Sequence, residues 1–183
     1  MHKISMSSSA ALRADEHPSL STTAAQVARR ACDALADAGL TVSCAESLTG
    51  GLVADSFVSV PGASAVFHGG VVTYATCMKH KILGVDEQLL QQAGAVDPRV
   101  AEQMVRGSYK LFDTDCAIAT TGVAGPTPQD GKPVGLVYIA ACVHTNMCVK
   151  ELHLSGSREN IRLSATIQGL ELLCKLLEIN TEE

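Results

Sequence analysis

A phenol, an amine and several serine hydroxyls are spaced in this sequence so that a few turns could bring them together. Tyr74 and Lys79 lie five residues apart, and a sharp turn between them would set the phenol beside the amine. A lysine that is partly buried or faces another cation can lose its proton near neutral pH and activate a serine hydroxyl, as in serine and lysine hydrolases. Lys81 is close by. A lysine on a solvated helix face would do none of this. The run Ala45-Glu46-Ser47-Leu48-Thr49-Gly50-Gly51 reads as a strand passing into a helix, where hydroxyls and free amides at the positive helix end suit an anion. Capping by Ser47 or Thr49 explains the same residues without a ligand. The run lacks the spacing of a Walker loop, and no GxGxxG follows the first predicted strand, so neither a nucleoside triphosphate nor a dinucleotide is indicated. No histidine, cysteine and carboxylate set has metal-ligand spacing, so no metal or cofactor is expected.

The elements that must position these residues alternate between helix and strand. Ser21, Thr22 and Thr23 offer caps for a helix whose Val27, Ala31 and Leu35 share a face and which Gly39 closes. Leu40 to Ala45 reads as a buried strand, Thr49 to Val58 as a short helix ended by Pro61-Gly62, and Val66 to Tyr74 as a strand. Gly69-Gly70 inside that strand implies a bulge or a close backbone approach. A helix holding Lys79 ends at Gly84, and Asp86 and Asp97 cap two more, the second with Pro98 at its first position. Cys116 to Thr120 is an apolar strand, followed by a turn-rich loop to Pro133. Val134 to Val143 and Cys148 to Leu154 form a hairpin around His144, Thr145 and Asn146. Ser157 caps a last helix striped by Ile161, Ala165, Leu172 and Leu176. This pattern predicts a three-layer α/β/α domain with a mixed sheet. Ligands in such sheets sit beyond strand ends, which directs attention to the small-residue loops Glu46 to Gly51, Pro61 to Ser64 and Thr120 to Pro126.

The chain has 183 residues, 46% hydrophobic and 18% charged, enough to fill the core of one domain. Residues 1–20 read as a flexible tail and 21–183 as that domain. A net charge of -5 and only 3% aromatics without tryptophan disfavour nucleic acid as a partner. No apolar run reaches the roughly 18 residues that span a bilayer, so no membrane partner is expected. The seven cysteines are odd in number and contain no CxxC pair, which fits reduced thiols and a cytoplasmic protein.

Six ordered motifs carry a resemblance. They are Ala45-Glu46-Ser47-Leu48-Thr49-Gly50-Gly51, Pro61-Gly62-Ala63-Ser64-Ala65-Val66-Phe67, Val72-Thr73-Tyr74, Gly94-Ala95-Val96, Thr121-Gly122-Val123-Ala124-Gly125-Pro126 and Lys132-Pro133-Val134-Gly135. From about Val27 to Leu177 the chain resembles the carboxy-terminal domain of the CinA family, the nicotinamide mononucleotide amidohydrolases also called PncC. The resemblance implies a stand-alone, homo-oligomeric, metal-free enzyme of pyridine-nucleotide recycling. Its reaction would convert nicotinamide mononucleotide to nicotinate mononucleotide and ammonia. The family's polar site residues fall on Ser47, Ser64, Tyr74, Lys79 and Thr121, with Arg158 matching an arginine near the start of the last helix. In the scheme expected first, Ser64 attacks the carboxamide, Lys79 is the base, Tyr74 orients or relays, and Ser47 and Thr121 hold the oxyanion or carboxamide. Ser47 as nucleophile is the other assignment. Thr49, Gly50, Gly51, Gly122 and Arg158 are the expected substrate-binding residues, with the phosphate at the helix end of Thr49 to Gly51. The chain departs from the family at Leu48, usually cysteine, at His68-Gly69-Gly70, at Ala75-Thr76 and at Thr127 to Asp130. These departures leave open a module of the same fold that binds a pyridine nucleotide without turnover.

Overall fold

Small and β-branched residues fill the central strands of the computed structural model, which describes residues 20–180. β1 (Val42–Glu46), β3 (Cys116–Gly122) and β4 (Leu136–Val143) are buried almost throughout, whereas β2 (Phe67–Val72) and β5 (Asn146–His153) are only half covered. Helices cover the inner strands closely on both faces and the edge strands only thinly, which accounts for the contrast. The strand order is β2-β1-β3-β4-β5. β2, β1 and β3 run parallel, and β4 and β5 are added antiparallel. The mixed sheet and its two helical layers match the expected architecture.

One face is covered by α1 (Leu20–Ala38), α2 (Leu52–Val58) and α6 (Arg158–Asn180), whose Leu35, Phe57 and Leu170 share a core with Val42, Cys44, Ile118 and Ile139. The other is covered by α3 (Thr76–Leu83), α4 (Glu87–Ala93) and α5 (Pro98–Phe112). There Val100, Met104 and Val105 pack on Ala45, Ala117, Ala119 and Ala140, a floor of alanines that lets α5 lie close to the sheet. Gly107 of α5 then admits α3, since a Cβ at that position would lie 2.7 Å from Leu83 Cβ. Close packing of α3 matters because α3 carries Lys79.

Local signals end the elements as expected. Asp86 Oδ1 accepts from the amide of Gln88 and Asp97 Oδ1 from that of Arg99, each at 2.9 Å, and Pro98 opens α5. Gly84 closes α3 in the left-handed region at φ 69°. The amide of Asn160 donates to Ser157 Oγ at 3.1 Å at the start of α6. Both alternatives raised for Gly69-Gly70 are present together: the register steps from Val42↔Phe67 to Ser43↔Gly69, and a Cβ on Gly70 would collide with Cys44 Sγ. Several boundaries differ from expectation: β2 stops at Val72, β3 runs on to Gly122 and β4 starts at Leu136. α1 already begins at Leu20, with the rest of the expected tail lying outside the described residues; Asn146 belongs to β5, leaving a two-residue turn; and α2 starts only at Leu52.

The chain leaves β1 over one face through α2 to reach β2, and leaves β2 over the other face through α3, α4 and α5 to reach β3. β1 and β3 are therefore neighbours at a topological switch point, and a crevice opens beyond their carboxyl ends.

Candidate active site

Ser47 is the first residue past β1, Thr121 and Gly122 end β3, and Tyr74 follows β2. All of them line a cavity of about 260 Å³ in that crevice, which the loop from Val123 to Gln129 and Arg158 complete. Gly122 serves packing as well as the cavity, because a Cβ there would come within 2.8 Å of Val137 Cα on the neighbouring strand.

At the base of the site the Lys79 ammonium donates to Ser47 Oγ at 2.9 Å and to the Thr73 carbonyl at 2.7 Å. Its side chain is fully buried. Burial disfavours the charged amine and brings its pKa from 10.5 down to about 8. About one molecule in ten then carries the neutral amine at pH 7, poised on a serine hydroxyl that faces the cavity. Among the described residues no group of three or more histidine, cysteine, aspartate or glutamate side chains could hold a metal ion. Nor, among the described residues, is any helix long and apolar enough to cross a membrane.

Tyr74 takes a different partner from the one expected. Its hydroxyl accepts from Arg158 Nη2 at 2.9 Å, while Arg158 Nη1 donates to the Gly125 carbonyl at 2.6 Å. The turn between Tyr74 and Lys79 thus delivers the amine to Ser47 and leaves the phenol to the arginine. Thr121 Oγ1 donates its only proton to the Ala95 carbonyl at 2.7 Å. The hydroxyl can therefore accept from a substrate amide but has no second proton for an oxyanion.

Two expected placements are corrected by the fold. Ser64 lies exposed in a single 3-10 turn, Ala63–Ala65, just before β2 begins. β2 runs parallel to β1, pairing Val42 with Phe67 and Glu46 with Val72, so Ser64 sits at the opposite end of the sheet from Ser47. At about 3.3 Å per residue the strand alone separates them by roughly 17 Å. The helix end at Thr49 to Gly51 is not an open anion site either. Glu46 is buried there, and its carboxylate accepts from the amides of Gly51, Val53 and Ala54 at 2.9, 3.1 and 2.9 Å. A charged cap already satisfies these donors and would repel a phosphate. The Thr49 hydroxyl is buried against Thr120 Oγ1 at 2.7 Å.

Sequence reading missed two residues that shape the site. Glu46 is the cap just described. Arg162 reaches across from α6, donating through Nε to the Leu48 carbonyl at 2.9 Å and through Nη2 to the Thr49 carbonyl at 2.6 Å. Its spacing of four from Arg158 places both guanidiniums on one helix face, a signal present in the sequence. Cys44, the thiol nearest the site, is buried beneath Glu46, and burial pushes its pKa well above the ordinary thiol value. It is a packing residue.

Comparison with known proteins agrees with this architecture. Residues 24–177 match the family model of the CinA C-terminal domain. The chain belongs to this family. A CinA-like protein of Dictyoglomus turgidum is 46% identical over 142 residues, covering 76% of this chain and 34% of the relative. A CinA-like protein of Frankia casuarinae is 44% identical over 137 residues, 75% of this chain and 32% of the relative. The chain thus spans about a third of the length of these curated relatives. Among solved structures, a competence/damage inducible protein from Agrobacterium tumefaciens superposes with a TM-score of 0.81 at 38% identity, covering 84% of this chain and 95% of the other.

Proposed function

We propose that the chain hydrolyses the carboxamide of nicotinamide mononucleotide to nicotinate mononucleotide and ammonia, in cytoplasmic pyridine-nucleotide recycling and with neither metal nor cofactor. Ser47 is the nucleophile in this reading and Lys79 the general base. The observation that carries it is the buried Lys79 amine hydrogen-bonded to Ser47 Oγ at the floor of the cavity. The choice of substrate rests on the family resemblance, and the chemistry on the pair.

In the working form the neutral Lys79 amine accepts the Ser47 proton while Oγ bonds to the carboxamide carbon. The carbon–nitrogen bond then breaks, the Lys79 ammonium returns that proton to the leaving nitrogen, and ammonia departs from an ester on Ser47. Water attacks the ester, Lys79 takes a proton from it and hands one back to Oγ. Tyr74 accepts from Arg158 and so keeps its own proton to donate to the developing oxyanion. Thr121 accepts from the carboxamide nitrogen. Arg158 spends two of its five N–H groups on Gly125 and Tyr74, and the remaining three can meet the phosphate.

Incubating the protein with nicotinamide mononucleotide and assaying ammonia tests the reading, with EDTA leaving the rate unchanged. A raised melting temperature without ammonia release would replace the enzyme with a binding module.

A further inference from the structure

Buried polar atoms in folded proteins are hydrogen-bonded in nine cases of ten or better. Among the described residues one buried side-chain oxygen has no partner, and it is Thr73 Oγ1. Thr73 is fully buried, so bulk solvent does not reach the hydroxyl. The fold has no evident need of it. Thr73 holds its neighbours through its backbone, its amide donating to the Glu46 carbonyl at 2.9 Å and its own carbonyl accepting from Lys79 Nζ. A valine would make both bonds, with the same shape and no orphaned oxygen.

The surroundings of Lys79 supply a reason for the hydroxyl. An ammonium carries three hydrogens. Two are taken by Ser47 Oγ and the Thr73 carbonyl, and the third has no acceptor among the described residues. Thr73 lies two residues past Val71, whose side chain packs in the layer of α3 and α5, and strand alternation sends both side chains the same way. Oγ1 is four bonds from the carbonyl oxygen that accepts from the amine at 2.7 Å, which keeps the hydroxyl in the neighbourhood of Nζ. No charged group competes for that hydrogen. The side chains that α4 and α5 bury are apolar except Ser108, whose hydroxyl is paired with Ser43 Oγ. His80, Lys81, Glu87, Arg99 and Arg106 lie on exposed faces, Asp97 is paired with Arg99, and Glu46 and Cys44 point to the other side of β1.

We propose that Thr73 is a positioning residue of the Ser47–Lys79 pair, its hydroxyl rotating to accept the third hydrogen of the ammonium as the proton arrives from Ser47. The assignment rests on the reading of that pair as nucleophile and base. It gives the amine two acceptors besides the serine, so that the ammonium formed during attack is held in place and the proton is returned along the same line. The step is a proton transfer from Ser47 Oγ to Lys79 Nζ, and Thr73 itself neither gains nor loses a proton.

The test compares Thr73→Val, Thr73→Ala and Thr73→Ser with the parent chain. Ammonia release from nicotinamide mononucleotide is followed against pH, and Lys79 is titrated by NMR through a 13C label at Cε. Removing an acceptor from an ammonium disfavours the charged form. The valine and alanine variants should therefore lose kcat roughly tenfold or more with KM unchanged, and the acidic, rising limb of their rate profile should move to lower pH along with the Lys79 titration. Serine should restore both. Alanine creates no new contact, so a folding failure with valine would not hide the outcome. Wild-type kcat and an unmoved limb in both variants would overturn the proposal. If the parent chain releases no ammonia, the amidohydrolase reading fails by itself, and the Lys79 titration still decides whether the hydroxyl meets the amine: an unchanged titration overturns the pairing.

Discussion

Replacing Lys79 by methionine tests the buried amine through stability as well as turnover. Methionine fills nearly the same volume and removes the charge. Burial brings the pKa of Lys79 from 10.5 to about 8, and about 2.5 units at 1.36 kcal/mol each correspond to a penalty of about 3 kcal/mol for keeping the ammonium inside. Below pH 8 the folded and unfolded chains both hold the proton, so the penalty is complete. Between 8 and 10.5 the folded chain has released the proton while the unfolded chain retains it, and stability rises with pH. From pH 7 to pH 9.5 the parent chain should therefore gain about 2 kcal/mol on the methionine variant. Urea unfolding of both proteins at the two pH values measures this difference. At pH 7 the variant should be as stable as the parent or more so, while ammonia release falls by about 10²-fold or more, the scale of general-base catalysis. A stability difference that does not change with pH would refute the buried charge, and near-parental turnover would refute the base.

Other outcomes follow from the same geometry. Ser47→Ala should abolish the chemical step with nicotinamide mononucleotide still bound, whereas Ser64→Ala, at the far end of the sheet, should keep parental turnover; steady-state kinetics and calorimetry on both variants separate the two serines. Glu46→Gln should destabilise the fold by about 2 kcal/mol or more in urea unfolding, since it removes the charge at the α2 terminus and turns one acceptor into a donor facing backbone amides. Nicotinamide riboside, which lacks the phosphate, should bind more weakly than the mononucleotide. In an Arg158→Ala variant that preference should shrink by calorimetry, each charge-assisted bond contributing roughly 1.5 to 3 kcal/mol.

Much of the architecture was legible because it is written in local signals. Asp86, Asp97, Gly84 and Ser157 mark helix ends through their own backbone or side-chain chemistry, and the Gly69-Gly70 pair announces the bulge that sets β2 against β1. Lys79 and the loops around Ser47 and Thr121 were also recognisable, through residue type and strand-to-loop position. What local pattern does not encode is which end of the sheet a loop occupies. Ser64 and Ser47 stand in equally small-residue turns, and only the parallel pairing of β1 with β2 separates them. A run of glycine and hydroxyl residues signals free amides and so points a phosphate to the end of α2, but Glu46 folds back onto those amides across five to eight residues. Arg162 is the opposite case: its acceptors lie 113 and 114 positions away.

The strand that ends just before Ser47 also limits how this chain can change length. Glu46 and Ser47 are adjacent, yet the first turns toward α2 and the second toward Lys79, so the carboxylate of this region never becomes a counter-ion for the lysine. A glutamate against that amine would hold its proton and silence it as a base. Insertion or deletion of one residue between Val42 and Glu46 would exchange the two faces, presenting a carboxylate to the lysine and a serine to the helix end. Descendants of this sequence can therefore vary in the loops on either side, but the length of these five residues is fixed by the charge they must keep apart.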